Sequence, residues 1–413
     1  MTREEIKSLV RRVVEETEVI DIHTHLFDPS FGKLLLWGID ELLTYHYLIA
    51  EAMRFLDMPY DDFWGMSKRE QADLIWETLF VKRSPISEAA RGVLTTLNKL
   101  GLDVSKRDLN AYRSYFESVK LEDYIDRVFE LSKVKYVVMT NNPFDEEERR
   151  VWLEGRREDP RFKPALRIDP ILTDWERTSG IMRSWGYDVM ERVEPKTAAE
   201  VRRFLNEWID RMKPVYMAAS LPPTFRVPCD EPASILMEEA VLPVAEERKL
   251  PVAMMIGVKR STNPHLRVAG DSVGKASIDS IEYLCRNYPS VKFLLTVLSR
   301  ENQHELVVAA RKFRNLHIFG CWWFLNNPSI VEEITRERME MLGWSFTAQH
   351  SDARVLDQLI YKWAHSKSII ADVLTDKYSD LAETGWVVSE EEMRRDVRML
   401  LGGSFEEFLK MKL

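Results

Sequence analysis

The chain has 413 residues, of which 45% are hydrophobic and 30% charged, and its formal net charge is −9. This acidic balance argues against a nucleic-acid groove, which needs a clustered excess of Lys and Arg, and no apolar run approaches the roughly 18 residues of a membrane helix. The charged N-terminal segment has no apolar signal core, and the three cysteines (Cys229, Cys285 and Cys321) form no CxxC pair. We therefore expect a cytoplasmic protein without disulfides, with neither nucleic acid nor membrane as a partner.

Short apolar or β-branched runs recur along the chain, and most are followed by an amphipathic, charged stretch. There are eight of them: VIDIHTH (19–25), KYVVMTN (135–141), KPALRID (163–169), PVYMAAS (214–220), PVAMMIG (251–257), KFLLTVL (292–298), LHIFGCWW (316–323) and WSFTAQH (344–350). Apolar strands that alternate with helices indicate a parallel sheet covered on both faces. Eight such units predict an α/β (β/α)8 TIM-type barrel, with functional groups at the carboxyl ends of the strands. An open doubly wound sheet is the alternative, and it is disfavoured because no glycine-rich phosphate loop follows any strand.

The interval between the first and second predicted strands is about 110 residues long and rich in helix formers and aromatic residues. A structureless loop of that length is implausible in a compact domain. We therefore predict a helical insertion over residues 30–130 that covers the C-terminal face of the barrel. The region from Tyr361 onward is also predicted to be helical and to pack against the barrel wall. Residues 1–413 are expected to form a single domain.

The first predicted strand ends in two histidines, His23 and His25, with one residue between them. Because side chains alternate along a strand, we expect both imidazoles on one face with Asp21, and Ile20 and Ile22 against the helix layer. Two imidazoles side by side at the mouth of a barrel suit one divalent cation. A bare HxH is common by chance, however, and local hydrogen bonding at a strand end explains it equally well.

The last predicted strand runs into AQHSDAR, which places His350, Asp352 and Arg354 at alternate positions. In a closed barrel the last strand lies beside the first. Asp352 would then complete a metal site with His23 and His25, or act as the base that moves a proton. Taken alone, Asp352 is better explained as the N-cap of the following helix. The two motifs together favour the metal site.

This combination resembles the uronate isomerase (glucuronate isomerase) family of the amidohydrolase superfamily, over nearly the whole chain. The similar segments are the first-strand HxH, HYLIAEAMR (46–54) against the family's HYxxR-AMR, TNNPFDE (140–146) against TDDP, ALRID (165–169) with its arginine, CWWF (321–324) against the strand-7 tryptophan motif, and SDARVLDQLIYKW (351–363) against TDSRSFLSYxRHEYFRR. Two departures mark a divergent member. Met255 stands where the family has a strand-5 histidine, and Leu221 lies in AASLPP, where the family has an SDH motif.

The resemblance implies an aldose–ketose isomerase that acts on a sugar acid by proton transfer between C2 and C1. The substrate pairs it implies are D-glucuronate with D-fructuronate, or D-galacturonate with D-tagaturonate. The implied site has the catalytic residues Asp352 and Tyr47, the substrate-binding residues Arg167, Arg354, Trp322 and His46, and the metal ligands His23, His25 and Asp352. We expect one divalent metal ion, zinc in the first place and manganese as the alternative. His350 is expected to substitute in part for the missing strand-5 histidine.

Two other functions stay open at this point. A mononuclear metal-dependent hydrolase or decarboxylase of the same superfamily would use the metal to activate water, although the lack of histidine in predicted strands 4 to 6 disfavours a two-metal hydrolase. A non-catalytic paralogue that binds a sugar acid is compatible with Met255 and Leu221. The sequence is also compatible with a homo-oligomer.

Overall fold

The centre of the protein is a parallel sheet of seven strands. The computed structural model describes residues 1–413. It contains nine strands, seven in this sheet and two in a separate hairpin. They are β1 (Val19–Thr24), β2 (Val134–Asn141), β3 (Phe162–Arg167), β4 (Met217–Leu221), β5 (Val252–Ile256), β6 (Val258–Lys259), β7 (Ser272–Val273), β8 (Phe293–Val297) and β9 (Leu316–Ile318). The order in the sheet is β1-β2-β3-β4-β5-β8-β9, and β6 pairs with β7 in a separate antiparallel hairpin. Seven of the eight predicted strands are therefore confirmed, in chain order around the sheet.

The eighth predicted strand, residues 344–350, is not a regular strand, but its backbone still closes the barrel. Thr347 forms an isolated parallel bridge with Phe319, just beyond the end of β9. On the other side, the amide of Asp352 donates a hydrogen bond of 3.2 Å to the carbonyl of His23 in β1. The last core segment thus lies between β9 and β1, which confirms the TIM-type fold with one irregular strand position.

Helices surround the sheet, fill the interval between β1 and β2, and form the C-terminal region. The first helix, α1, is Arg3–Glu16, and the interval contains α2 (Ile39–Leu43), α3 (His46–Ala52), α4 (Tyr60–Gly65), α5 (Lys68–Trp76), α6 (Glu88–Lys99), α7 (Leu109–Ser118) and α8 (Leu121–Ser132). Between the later strands and at the C-terminus lie α9 (Glu146–Glu154), α10 (Asp169–Thr173), α11 (Trp175–Ser184), α12 (Pro195–Met212), α13 (Pro232–Leu236), α14 (Leu242–Arg248), α15 (Ile278–Asn287), α16 (Gln303–Ala310), α17 (Pro328–Leu342), α18 (Gln358–Glu383), α19 (Glu390–Arg398) and α20 (Ser404–Lys410). Capping boxes at Thr2, Ser67 and Ser389 explain the starts of α1, α5 and α19, because each side chain bonds an otherwise unpaired amide of the first turn. None of the helices combines the length and the apolar composition needed to cross a bilayer.

Two large apolar clusters lie on opposite faces of the strands. A cluster of 97 buried residues joins the outer faces to the helices, and a cluster of 17 fills the barrel interior with side chains from β1 to β5 and β8. Ile20 and Ile22 belong to the interior cluster, so the prediction that they face the helix layer was wrong. The pairing of β1 with β2 shifts register between Val19 and Ile20 and again between Asp21 and Thr24. Strict alternation of side chains therefore does not hold along β1.

Candidate active site and metal centre

Three of the predicted site residues meet at the carboxyl end of β1. Nε2 of His23 lies 3.6 Å, and Nε2 of His25 lies 3.4 Å, from Oδ1 of Asp352. One ligand atom from each of the three residues lies within 4.8 Å of the others. Backbone pairing across the barrel seam brings them together, because the amide of His25 also donates a 2.7 Å hydrogen bond to the carbonyl of Ala353. The structure therefore places the two ends of the barrel sequence at one mouth.

A neighbouring threonine determines which ring nitrogen of His25 carries the proton. The hydroxyl of Thr140 donates to the carbonyl of Thr24 over 3.1 Å, and its oxygen lies 3.1 Å from Nδ1 of His25. The hydroxyl of Thr140 has one proton, and that proton is used in the hydrogen bond to the carbonyl of Thr24. The hydroxyl oxygen can therefore only accept a hydrogen bond from Nδ1 of His25. His25 is thus held with its proton on Nδ1 and the lone pair of Nε2 free, as a metal-binding histidine requires.

A tyrosine just before β4, Tyr216, determines the tautomer of His23 in the same way. The hydroxyl of Tyr216 donates to the carbonyl of Ile22 over 2.6 Å and lies 3.5 Å from Nδ1 of His23. Its single proton is also committed, so the weak contact to His23 runs from Nδ1–H to the phenol oxygen. The lone pair of Nε2 of His23 consequently faces Asp352.

Three acceptor atoms therefore face one another with no donor among them. Nε2 of His23 and Oδ1 of Asp352 are buried and have no hydrogen-bond partner. A buried acceptor left unpaired costs about 1–3 kcal/mol, and a cation placed between the three atoms would satisfy all of them together. Two imidazole nitrogens and one carboxylate oxygen fit one divalent metal ion, with further positions open for water or substrate.

Burial keeps both imidazoles neutral. Desolvation lowers the pKa of His23 to about 3, and the neighbouring His25 adds to the shift. The pKa of His25 is also well below its ordinary value, first because of burial and then because of Arg354 and Arg167. Neither ring carries a charge that would oppose the binding of a cation at neutral pH.

Two polar side chains of the insertion lie near this group, at the start of α3. Nε2 of His46 and the hydroxyl of Tyr47 are both buried without a hydrogen-bond partner. Burial lowers the pKa of His46 to about 3. Burial also raises the pKa of Tyr47 well above its ordinary value, with Tyr45 and Asp352 adding to the shift. A neutral imidazole and a protonated phenol are therefore available for hydrogen bonds to the hydroxyl groups of a ligand.

The two adjacent tryptophans have different positions. Trp322, which was predicted to bind substrate, is 3% exposed and packs in the barrel-interior cluster. The ring centroid of Trp323 is 5.5 Å from that of His46 in an edge-on arrangement. Trp323 also lines a cavity of about 170 Å³ together with Tyr47 and Lys362, whereas Trp322 does not. The tryptophan next to the predicted site residues is therefore Trp323, and a role for Trp322 stays a prediction.

The two arginines predicted to bind substrate differ in what they already contact. Arg167 makes a two-point ion pair with Asp169, in which Nε and Nη2 lie 3.0 and 2.9 Å from the carboxylate oxygens. Asp169 is held in turn by the amide of Ser220 over 2.8 Å. Arg354 is exposed and lines a cavity of about 240 Å³ with His46, and only its backbone amide forms a hydrogen bond. Arg354 is thus the arginine whose guanidinium is free.

His350 lies behind His23 rather than among the ligand atoms. The two ring centroids are 5.4 Å apart with the rings almost perpendicular, at 88°. Both ring nitrogens of His350 are buried and unpaired, but the residue is not part of the group whose ligand atoms converge within 4.8 Å. Its predicted part in replacing a strand-5 histidine stays a prediction, since Met255 is buried in the barrel-interior cluster.

Sequence reasoning missed the residues that orient the predicted ones. Thr140 and Tyr216 direct the two imidazoles, and Asp169 engages Arg167. Asp169 had a sequence signal, because it lies two residues after Arg167 in the same predicted strand. Tyr216 had none, since it comes from a strand three positions away around the barrel and reaches His23 across the interior.

Comparison with solved structures places this chain among proteins of known class, although no protein-family model and no curated protein matches it. A uronate isomerase from Bacillus halodurans C-125 is 58% identical, with a TM-score of 0.98 over 100% of this chain and 98% of that chain. A uronate isomerase from Thermotoga maritima is 15% identical, with a TM-score of 0.78 over 98% and 97% of the two chains. A glucuronate isomerase from Caulobacter crescentus is 14% identical, with a TM-score of 0.77 over 99% and 94%. At those identities the last two show a common fold only.

Proposed function

Because this chain belongs to the uronate isomerase family, we propose that it interconverts the aldose and ketose forms of a sugar acid. The substrate pair is D-glucuronate with D-fructuronate, or D-galacturonate with D-tagaturonate. The observation that carries the proposal is the 58% identity over the full chain, which is joined by the convergence of His23, His25 and Asp352 at one mouth of the barrel.

The reaction needs two proton movements and no net oxidation. In the direction from aldose to ketose, a base removes the proton from C2 and the proton is delivered to C1. The proton of the C2 hydroxyl passes to the oxygen on C1, so the carbonyl moves from C1 to C2. A base within hydrogen-bond reach, a group that holds the enediolate oxygens and a clamp for the distant carboxylate are therefore required.

We assign the base to Asp352 and the proton transfer between oxygens to Tyr47. Oδ1 is the oxygen of Asp352 that lies nearest both imidazoles, which leaves Oδ2 for a proton from carbon. The buried, unpaired hydroxyl of Tyr47 is protonated at neutral pH and can donate to one substrate oxygen while it accepts from the other. His46 offers its unpaired Nε2 to a further hydroxyl of the sugar.

Arg354 is our candidate for the main clamp on the substrate carboxylate. Its planar guanidinium matches a carboxylate in two-point contacts, a geometry that lysine cannot supply. Arg167 already uses Nε and Nη2 on Asp169, which leaves Nη1 as its donor for a ligand. A preformed ion pair of this kind orients the guanidinium before substrate arrives.

One divalent metal ion would be held by His23, His25 and Asp352. When bound, it acts as a Lewis acid that polarises the carbonyl or the C2 hydroxyl of the substrate. We propose zinc, which commonly binds imidazole nitrogen and carboxylate oxygen, with manganese as the alternative. The orientation of both imidazoles by Thr140 and Tyr216 supports a site of this kind.

We further propose that residues 1–413 form a single domain in which segment 30–130 covers the C-terminal face of the barrel. The indole nitrogen of Trp64 in α4 donates a 2.8 Å hydrogen bond to the carbonyl of His265, in the loop of the β6–β7 hairpin. The ring of Tyr60 stacks on that of His265 with centroids 5.6 Å apart. These contacts support a cover built from the insertion and the hairpin. Three free cysteines support a cytoplasmic location.

The test is to incubate the purified protein with D-glucuronate and with D-galacturonate, with and without zinc or manganese, and to follow ketose formation alongside metal analysis. We expect turnover of at least one uronate. Asp352→Asn is expected to lower kcat at least about 10³-fold, on the scale of the loss of a general base. Asp372→Asn, a change in an exposed aspartate that pairs with Arg11, is the control and should leave kcat unchanged. No turnover of either uronate, together with metal binding and hydrolysis of an ester or amide, would favour the metal-dependent hydrolase instead.

The carboxylate clamp has its own test in Arg354→Lys, which keeps the charge but loses the planar fork. We expect KM to rise about tenfold or more, because one charge-assisted hydrogen bond contributes about 1.5–3 kcal/mol. Arg267→Lys is the matched control, since Arg267 lines the same cavity but lies over the ring of Trp64 at 4.5 Å. Equal KM values for the two variants would remove Arg354 from the clamp.

A further inference from the structure

Lys362, on the first turns of α18, is a buried cation that none of the roles above employs. It is 4% exposed, and its Nζ makes a single hydrogen bond, of 2.5 Å, to the carbonyl of Ser351. An ammonium group taken out of water is unfavourable unless nearby charges and acceptors compensate. The position of this group therefore needs a reason beyond packing.

The carbonyl that Lys362 binds belongs to the peptide that leads into Asp352. The amide at the other end of the same peptide donates to the carbonyl of His23 over 3.2 Å. Asp352 has a φ of 51°, in the left-handed region that is disfavoured for residues other than glycine. φ describes the rotation between this peptide and the rest of Asp352, and the two hydrogen bonds fix the first side of that rotation. The peptide that follows Asp352 is held as well, because the amide of Ala353 donates to Oγ of Ser351 over 3.1 Å. Loss of the Lys362 anchor would therefore free Asp352 to leave this conformation.

The same stretch of α18 makes a second anchor with the next side chain. The indole nitrogen of Trp363 donates to Oδ2 of Asp21 over 2.8 Å, and Oδ1 of Asp21 accepts from the amide of Ser351 over 3.0 Å. Lys362 thus lies near two carboxylates, those of Asp21 and Asp352. Burial lowers its pKa, while Asp352 and Asp21 oppose that shift. The ammonium is a counter-charge for the acidic side of the site.

We propose that Lys362 is a positioning residue that holds Asp352 in the left-handed conformation in which its carboxylate faces His23 and His25. Lys362 acts on the backbone of its neighbour and is not a metal ligand. The inference rests on the proposed function in one respect, because it concerns the acid to which the isomerase mechanism assigns the base. Its main readouts, metal affinity and backbone conformation, do not require turnover.

The chain offers a matched control on the same helix. Lys367 is also 4% exposed, and its Nζ donates to the carbonyls of Glu15 and Thr17, over 3.2 and 2.7 Å. Lys362→Met and Lys367→Met each remove a buried ammonium that binds backbone carbonyls. Both changes should lower Tm, and only the first should change the site.

We expect Lys362→Met to weaken zinc binding about 10- to 100-fold, the range seen when groups that orient metal ligands are lost, measured by competition with a chromophoric chelator. We expect kcat to fall with KM nearly unchanged, because substrate-binding groups such as Arg354 are left in place. Lys367→Met should keep the zinc affinity and kcat of the unchanged protein. Lys362→Arg, which retains a charged donor, should bind zinc more tightly than Lys362→Met.

Equal zinc affinity for Lys362→Met and Lys367→Met would overturn the inference. If Lys362→Met does not fold, Lys362→Leu, which also has no donor, is compared with Lys362→Arg, and equal zinc affinities for those two would overturn it. A crystal structure of the neutral variant is the second readout, and Asp352 retained at a φ near 51° would also count against the inference. A protein that binds zinc but isomerises no uronate would contradict the proposed function alone, since the comparison of affinities still applies.

Discussion

The hydroxyl of Thr140 shows how much one side chain contributes to the proposed metal centre without touching the metal. It accepts from Nδ1 of His25 while donating its own proton to Thr24, so the imidazole has one defined tautomer. Asp169 likewise fixes the plane of the Arg167 guanidinium by accepting two hydrogen bonds from it. At this scale the groups that bind or react depend on neighbours that hold their protons and planes in place.

Thr140→Val tests this orientation directly, because valine has almost the same shape but cannot accept from Nδ1. Zinc affinity is expected to fall about tenfold, measured by competition with a chelator. Thr335→Val is the matched control, since the hydroxyl of Thr335 is buried without a partner and lies on α17. Equal zinc affinities for the two variants would mean that the tautomer of His25 is not set by Thr140.

The joint between β9 and the last core segment is the element on which the geometry of the site depends. The amide of Gly320, just after β9, donates to the carbonyl of Thr347 over 2.9 Å. Its own carbonyl accepts from Nη1 of Arg338 over 2.8 Å. Gly320 has a φ of 62°, and a Cβ placed there would lie 1.7 Å from Nδ1 of His350. The glycine is therefore required twice, for its backbone conformation and for the space that His350 occupies against His23.

Gly320→Ala should separate these two requirements when compared with Gly343→Ala. Gly343 has nearly the same φ, 60°, but nothing within 4 Å of the added Cβ. Both variants place an alanine at a positive φ, and only Gly320→Ala also overpacks a buried ring, at about 1–3 kcal/mol. We expect its free energy of unfolding in urea to be lower than that of Gly343→Ala by about 2 kcal/mol. Equal values would show that His350 moves aside without cost.

At the scale of the whole molecule, the predicted metal ligands and the buried histidine His317 lie at different ends of the barrel. The predicted metal ligands meet at the carboxyl end of β1, whereas a larger cavity of about 670 Å³ near the amino end of β9 is lined by none of the predicted site residues. His317 lines that cavity, 3% exposed, with Nε2 bonded to Thr347 over 3.0 Å and its ring stacked on Phe408. None of the predicted metal ligands lines this cavity, so the response of His317 to pH can be examined apart from the proposed metal centre.

Acid should destabilise the protein partly through His317, whose pKa burial lowers from 6.5 to about 3. Between these values the unfolded chain binds a proton that the folded chain does not, so the free energy of unfolding falls as the pH drops through this window. From pH 7 to pH 5 the loss due to this residue is about 2 kcal/mol. His317→Gln should lose correspondingly less stability than the unchanged protein over that interval, measured by urea unfolding. A full loss of stability in His317→Gln over the same interval would refute the assignment.

Regular features along the chain were enough to predict most of the fold. Runs of apolar residues interrupted by amphipathic stretches identified seven strands and their parallel order, because a strand buried on both faces must be apolar throughout. The long interval after β1 was predicted to be helical because a compact domain cannot bury a long segment whose backbone amides and carbonyls are unpaired. The HxH and SDxR motifs pointed to His23, His25 and Asp352, because strand ends in a closed barrel share one rim.

Other features were determined only by the tertiary structure, because they depend on contacts between residues that are distant in the chain. Ile20 and Ile22 face the barrel interior and the pairing of β1 with β2 shifts register twice, and alternation along the sequence reveals neither feature. The ion pair that occupies Arg167, the free guanidinium of Arg354 and the position of Trp323 next to His46 depend on rotamers set by packing. Local periodicity in the sequence indicates which side of a strand or helix a side chain prefers. Which residue it contacts on that side is set by the packing of the folded chain.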